Sequence, residues 1–157
     1  MIVAKVVVVG RGEAGKSTLI RALTGDSMNL AVRGRTVAMD HGLLVRGEDA
    51  LALVGLPGQA RFAPVREVLV TGAQGVLWVH PAGEPCDRPT VALLNGDSLR
   101  DVPYIVFVNE READLAGAPP EFPRELRPPK AILSGNLARP GALLHELQKV
   151  TWQLLER

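Results

Sequence analysis

The first 25 residues, "MIVAKVVVVGRGEAGKSTLIRALTG" (1–25), decide the fold. Residues 2–9 are mostly β-branched and apolar, which predicts a strand buried on both faces. A glycine-rich stretch follows, and residues 15–24 then place three aliphatic side chains on one side of a predicted helix. The chain therefore opens with a buried strand, a tight glycine turn and a helix.

The turn between them, "GRGEAGKS" (10–17), matches the pattern G-x-x-x-x-G-K-[ST] in the strand-to-helix context that this pattern requires. Its glycines let the backbone come close to a phosphate, and the N–H groups at the helix start form a cradle for an anion. Lys16 is predicted to contact the β- and γ-phosphates, and Ser17 to offer its hydroxyl to Mg²⁺. The nucleotide-binding residues predicted in this loop are Gly12, Glu13, Ala14, Gly15, Lys16, Ser17 and Thr18.

Strand and helix patterns alternate along the rest of the chain. Strands are predicted at 36–46, 50–55, 75–80, 103–109 and 130–134, and helices at 63–71, 88–96 and 140–156. Residues 25–35 are predicted to be a loop, and Gly47-Glu48 suits a tight hairpin turn. The alternation predicts an α/β fold of three layers: a six-stranded, mostly parallel sheet with one antiparallel edge strand, and helices on both faces.

Composition narrows the class of protein. The chain has 157 residues and a net charge of +1, which favours neither nucleic acid nor a membrane surface as a partner. Its one cysteine allows no internal disulfide, and this fits a reduced, cytoplasmic setting. The start does not read as a signal peptide, and neither Ile2 nor the final "LLER" fits a lipidation signal, so no direct membrane anchor is expected.

Four further stretches carry a resemblance to a known family. They are Thr36 at the end of a loop, "GLPGQARF" (55–62) after a strand, "VNEREADL" (108–115) and "LSGN" (133–136). With the phosphate loop, their order and spacing resemble the Ras-like small GTPases over essentially the whole chain. The stretches at Thr36 and 55–62 look closest to the bacterial Mgl-type subgroup. The resemblance implies one GTPase domain over residues 1–157, which binds GTP and GDP with Mg²⁺ and slowly hydrolyses GTP.

The resemblance also assigns roles to single residues. Thr36 would bind Mg²⁺ and sense the γ-phosphate, and Gly58 would contact that phosphate through its N–H. Gln59 would orient the attacking water and act with Lys16 as the catalytic pair. The remaining nucleotide contacts would lie at the base, and they come from Asn109, Glu112, Ser134 and Gly135.

Two departures from the family pattern bear on this assignment. Gly55 stands where the family has the aspartate that holds Mg²⁺ through water. A two-residue hairpin turn would place Asp40 opposite Gly55, so Asp40 either joins Ser17 and Thr36 as a metal ligand or is an ordinary capped or solvated aspartate.

The second departure lies in the base-reading motif. Glu110 and Glu112 replace the family's lysine and aspartate, and Asp114 could serve as the acidic residue only after a shift of the loop. Guanine specificity therefore depends on a changed set of contacts, because a base site built on hydrogen bonds loses discrimination when one partner is displaced.

Three functions are therefore considered. The first is a guanine-nucleotide switch that acts with an effector and with a GTPase-activating protein, which the Mgl-type resemblance suggests is of roadblock type. The second is a degenerate nucleotide-binding scaffold with little hydrolysis, which the loss of the carboxylate at Gly55 favours. The third is a P-loop ATPase of relaxed specificity.

Overall fold

The computed structural model describes residues 1–12, 14–24, 28–32, 35–57, 63–110, 121–139 and 141–156. Within these ranges it describes the backbone alone at 28–32, 35–40 and 63–66. The strands are β1 (Ile2–Val9), β2 (Met28–Val32), β3 (Arg35–Arg46), β4 (Asp49–Gly55), β5 (Gly75–Pro81), β6 (Tyr104–Asn109) and β7 (Ile132–Gly135). The helices are α1 (Lys16–Thr24), α2 (Ala63–Val70), α3 (Arg88–Leu94) and α4 (Leu143–Gln153).

All of the strands join one sheet in the order β2-β3-β4-β1-β5-β6-β7. The pairs from β4 to β7 are parallel, whereas β3 is antiparallel to both β2 and β4. The predicted α/β class, the mostly parallel sheet and each of the six predicted strands are confirmed.

The prediction was incomplete at one edge of the sheet. Residues 28–32, predicted as part of a loop, form a seventh strand that pairs with β3. The antiparallel strand β3 is therefore next to the edge rather than at it. The sequence "MNLAV" is short and mostly apolar, and pairing with β3 gives its backbone N–H and C=O groups their hydrogen-bond partners.

The hairpin of β3 and β4 has the predicted two-residue turn. Arg46 lies opposite Asp49, and the ladder continues to the pair of His41 and Val54. One further step in the same register would bring Asp40 opposite Gly55, as predicted, but the side chain of Asp40 lies outside the described part of the structure.

Two apolar clusters cover the two faces of the sheet. One contains Val6 and Val8 of β1 together with buried side chains of α1 and α4. The other contains Val7 and Val9 together with buried side chains of α2 and α3. Because successive residues of a strand point to opposite faces, β1 is buried on both sides from Val6 to Val9, as its sequence predicts. Ile2 and Val3 at the start of the strand are exposed, contrary to the prediction.

This arrangement brings the carboxyl ends of β1, β6 and β7 to one edge of the sheet, beside the start of α1. In open α/β sheets, ligands bind outside this edge. Among the described helices, none combines the length and the apolar character needed to cross a bilayer.

Candidate functional site

The loop between β1 and α1 packs closely against the rest of the sheet edge. Gly10 and Gly15 have φ angles of +144° and +112°, a region that L side chains rarely adopt. A Cβ atom on Gly10 would lie 2.4 Å from the carbonyl oxygen of Val79, and one on Gly15 would lie 2.6 Å from Nδ2 of Asn109. Glycine is therefore required at both positions by conformation and by space.

Lys16 is folded back over this loop. Its Nζ donates hydrogen bonds to the carbonyl oxygens of Gly10 and Arg11, both at 2.8 Å. Helix α1 begins at Lys16, and the N–H of Leu19 donates to the carbonyl oxygen of Gly15 at 2.8 Å. The start of α1 and the Lys16 ammonium thus belong to the same loop, and both are suited to anions.

Asn109, the last residue of β6, joins this loop to a second one. Its Nδ2 donates to the carbonyl oxygen of Ala14 at 3.1 Å. Its Oδ1 accepts from the N–H of Leu137, which follows β7, at 3.3 Å. Asn109 is only 6% exposed, and Ala14 and Leu137 are buried as well, so these two hydrogen bonds are shielded from water. The amide therefore fixes the spacing between the loop at 10–17 and the loop after β7.

A cleft of about 450 Å³ opens between these two loops. It is lined by Gly15, Lys16, Ser17, Thr18, Asn109, Asn136, Leu137 and Ala138. The lining includes Lys16 and the exposed Ser17 from the first loop, and the amide-bearing residues Asn109 and Asn136 from the end of β6 and the second loop. A ligand with an anionic part and a hydrogen-bonding ring part suits this distribution of groups.

The structure brings together five of the predicted nucleotide-binding residues in the lining of the cleft, namely Gly15, Lys16, Ser17, Thr18 and Asn109. Two others belong to the same loop: Ala14 is buried and gives its carbonyl oxygen to Asn109, and Gly12 is exposed. Ser134 and Gly135 lie in β7 beside β6, where they pair with Val108 and Asn109, but they do not line the cleft.

The other predicted site residues cannot be placed in this way. Glu13, Gly58, Gln59 and Glu112 lie outside the described residues. Thr36 and Asp40 lie in β3, where the backbone alone is described. Gln59 as a catalytic residue, and Thr36 and Asp40 as metal ligands, therefore stay predictions.

Three lining residues had no side-chain role in the sequence analysis: Asn136, Leu137 and Ala138. They follow β7 directly, at the same edge as Asn109, so the parallel pairing of β6 with β7 carries them to the cleft. The only feature of the sequence that pointed to them was their position directly after the last predicted strand. Their residue types alone indicated no function.

Arg11 also proves to have a defined partner. Its Nη2 donates to the carbonyl oxygen of Pro85 at 3.1 Å, and its Nη1 lies 3.8 Å from Oε2 of Glu84. Its Nε is buried and forms no hydrogen bond within the described part of the chain. Arg11 therefore ties the loop at 10–17 to the segment between β5 and α3.

The described residues provide little of a metal site by themselves. Among them, no three His, Cys, Asp or Glu side chains are grouped as a metal centre would need. Gly55 is buried at the end of β4 and has no carboxylate to offer. Ser17, whose residue is exposed at the cleft, fits a Mg²⁺ ion of the kind that takes most of its ligands from water and substrate phosphates.

Comparison with known proteins agrees with this geometry. The family described as 50S ribosome-binding GTPase matches residues 5–110, more than half of the chain. An uncharacterised protein of Methanocaldococcus jannaschii, MJ1339, is 30% identical over 108 residues, which cover 69% of this chain and 70% of that protein.

Two solved structures share the fold. The bacterial selenocysteine-specific elongation factor EF-Sec matches 99% of this chain with a TM-score of 0.73 and 17% identity, and the match spans 29% of that chain. The G domain of the T. maritima FeoB iron transporter matches 68% of this chain and 72% of its own, with a TM-score of 0.54 and 23% identity. The present chain thus corresponds to less than a third of the elongation factor. On the strength of the family match and of the loop that carries Lys16, the chain belongs to the 50S ribosome-binding GTPase family of P-loop GTPases.

Proposed function

We propose that this chain is a guanine-nucleotide-binding switch, one GTPase domain over residues 1–157, that slowly hydrolyses GTP to GDP and phosphate. The observation that carries the proposal is the cleft between the loop at 10–17 and the loop after β7. It combines the Lys16 ammonium, the start of a helix and the Asn109 amide, which makes two hydrogen bonds to the two loops. Family membership supports binding and hydrolysis of GTP in general.

The proposed roles follow from the chemistry of phosphoryl transfer. Such reactions need positioning and stabilisation of charge rather than covalent chemistry. Lys16 and the N–H groups at the start of α1 would hold the phosphates, and Ser17, Thr36 and Asp40 would hold Mg²⁺, which supplies further positive charge at the phosphates when bound. Gln59 would orient the water and Gly58 would contact the γ-phosphate.

We also propose a subgroup and partners for the protein. The Ras-like resemblance suggests a cytoplasmic switch of the Mgl-type subgroup, in which the segments that carry Thr36 and Gly58 respond to the γ-phosphate. Its partners would be an effector and a GTPase-activating protein of roadblock type. Slow turnover without a partner is expected, because switches of this kind gain speed from groups supplied in trans.

Binding of a fluorescent GDP analogue in the presence of Mg²⁺, competed by unlabelled GTP, GDP and ATP, tests the proposal. We expect guanine nucleotides alone to displace the probe. Lys16→Ala should weaken binding by about 100-fold or more, because it removes a charge-assisted contact to phosphate. Lys149→Ala removes the same charge from an exposed position on α4 and should leave binding unchanged.

One observation favours a second function, a scaffold with little hydrolysis. The buried Gly55 gives the end of β4 no carboxylate for a metal-bound water. Gln59→Leu separates the two functions, because a switch should accumulate its GTP-bound form in this variant, whereas a scaffold should not change its nucleotide state. Displacement of the probe by ATP as readily as by GTP would instead indicate an ATPase of relaxed specificity.

A further inference from the structure

A groove lies between strand β3 and helix α4. It has a volume of about 380 Å³, and β3 contributes the buried Leu44 and the exposed Arg46 to its lining. Arg46 pairs with Asp49 at the start of β4, whereas the cleft lies beyond the carboxyl ends of the parallel strands. This wall of the groove is therefore at the opposite edge of the sheet from the cleft, and none of the described residues lines both.

Helix α4 forms the other wall of the groove. His145, Lys149 and Trp152 are spaced by four and three residues, which places their side chains on one face of the helix. Glu156 follows just after the helix end and also lines the groove. The lining extends from His145 to Gln153 of α4, which is about 12 Å along the helix axis. An extended peptide rises ~3.3 Å per residue, so about four of its residues would match this length.

Arg46 is held beside α4 by an aromatic ring. Its guanidinium carbon lies 3.9 Å from the centre of the Trp152 ring, and Trp152 is only 7% exposed. Within the described part of the chain, this guanidinium donates no hydrogen bond to another protein group. A guanidinium that an aromatic ring holds in place keeps its N–H groups for a carboxylate, which it can bind through two parallel hydrogen bonds. Arg46 is therefore positioned to bind an acidic side chain.

The groove has more positive than negative groups. Arg46, His145 and Lys149 are exposed, and across the described ranges none of them forms an ion pair. This holds although Asp49 lies directly opposite Arg46 in the hairpin. Among the described residues of the lining, Glu156 alone is acidic. A binding partner rich in Asp and Glu would complement the two permanent positive charges and the histidine.

We propose that this groove is a docking site for an acidic segment of a partner protein, in which one carboxylate of the segment binds the Arg46 guanidinium. Two observations favour a peptide over a nucleic acid. Glu156 would repel an unbroken row of phosphates, and the net charge of +1 gives the chain no long-range attraction for a polyanion. A peptide can place its carboxylates at Arg46 and Lys149 and an uncharged residue beside Glu156. The inference does not require a nucleotide in the cleft.

Binding of two pools of fluorescein-labelled peptides to the full chain tests the inference. Each peptide has eight residues, with Glu at alternate positions in one pool, Gln at the same positions in the other, and random residues between them. Fluorescence anisotropy at low salt measures the affinities. We expect the Glu pool to bind at least about tenfold more tightly than the Gln pool, because only its carboxylates complement the groove.

Charge-reversal variants locate the site. Arg46→Glu and Lys149→Glu should each weaken binding of the Glu pool by about tenfold or more. Lys149 is exposed and forms no ion pair within the described residues, so its variant should fold even if Arg46→Glu does not. Arg124→Glu makes the same change at an exposed position beside Leu126, which packs on the other face of the sheet, and should leave binding unchanged.

The contrary outcomes are distinct from one another. Equal binding of the two pools, no binding of either, or wild-type affinity in Lys149→Glu would overturn the inference. A twelve-nucleotide RNA that binds the chain more tightly than the Glu pool, and loses this affinity in Lys149→Glu, would show that the groove takes a nucleic acid instead. A dimer in light scattering that dissociates in the same variant would show that its occupant is a second copy of this chain.

Discussion

Replacement of Gly15 by alanine tests the geometry of the cleft most directly. Gly15 has a φ of +112°, so any L side chain at this position is strained. Its new Cβ would lie 2.6 Å from Nδ2 of Asn109, closer than non-bonded carbon and nitrogen atoms can approach. Asn109 cannot move away without breaking hydrogen bonds, because its buried amide is bonded to the carbonyl oxygen of Ala14 and the N–H of Leu137.

The expected cost follows from these two terms. The backbone strain of a non-glycine residue with positive φ is about 1–2 kcal/mol. Displacing Asn109 leaves buried polar groups without partners, which adds about 1–3 kcal/mol. We therefore expect Gly15→Ala to lower the free energy of unfolding by about 2–5 kcal/mol, a large part of the roughly 5–15 kcal/mol typical of a domain.

Urea denaturation measures this cost, with the fluorescence of the fully buried Trp78 as a probe. Two matched variants separate the backbone strain from the displacement of Asn109. Gly47→Ala introduces the same side chain in the hairpin turn at a φ of +63°, with no described atom within 4 Å, so it should show the strain alone, about 1–2 kcal/mol. Gly12→Ala has neither a positive φ nor a described neighbour within 4 Å and should change stability by less than about 0.5 kcal/mol.

The order of the three variants decides the question. The reasoning predicts that Gly15→Ala costs the most, Gly47→Ala less and Gly12→Ala least. A cost for Gly15→Ala no greater than that for Gly47→Ala would refute the contact with Asn109, and with it the view that this amide fixes the spacing of the two loops.

Three further predictions concern residues outside the cleft lining. Burial raises the pKa of Tyr104, the sole tyrosine, to about 12, whereas an unfolded tyrosine ionises at about pH 10. Between about pH 10 and 12 the folded state therefore keeps a proton that the unfolded state loses, and the free energy of unfolding should fall by about 2 kcal/mol. Denaturation at several pH values should show this fall in the wild type but not in Tyr104→Phe. Arg46→Ala should cost about 0.5–1 kcal/mol in chemical denaturation, because the Arg46 guanidinium lies 3.9 Å from the centre of the Trp152 ring, and Arg46→Lys should cost less. Arg11→Ala should cost about 1 kcal/mol in the same assay through loss of its bond to Pro85, and an unchanged midpoint would show that this bond contributes nothing.

Much of the fold could be predicted from sequence because local patterns and tertiary structure agree. The four valines before Gly10 are buried on both faces, as their continuous hydrophobicity indicates. The two-residue turn at 47–48 fixed the register of the hairpin, since one residue of slip would turn every side chain to the other face. The strand at 28–32 was missed because only its pairing with β3 makes it a strand.

The candidate site could be predicted only in part, because some of its residues are brought to the cleft by tertiary structure alone. Lys16, Ser17 and Asn109 belong to motifs that can be read from the sequence, and the structure places all three at the cleft. Asn136, Leu137 and Ala138 could not be found in this way, because the pairing of β6 with β7 carries them to the cleft. That pairing is a property of the folded sheet and not of the residue types.

The bonds of Asn109 also bear on the order in which the chain can assemble during synthesis. They join Ala14, which leaves the ribosome early, to Leu137, which leaves it late. Strand β1 itself lies between β4 and β5, so its pairing must also wait for later segments. The phosphate loop is made before β6 and β7, but it cannot reach its final form until the loop after β7 has emerged. A nascent chain that ends before Leu137 should therefore gain little stability from nucleotide, and the last strand and the loop after it complete the nucleotide site during translation.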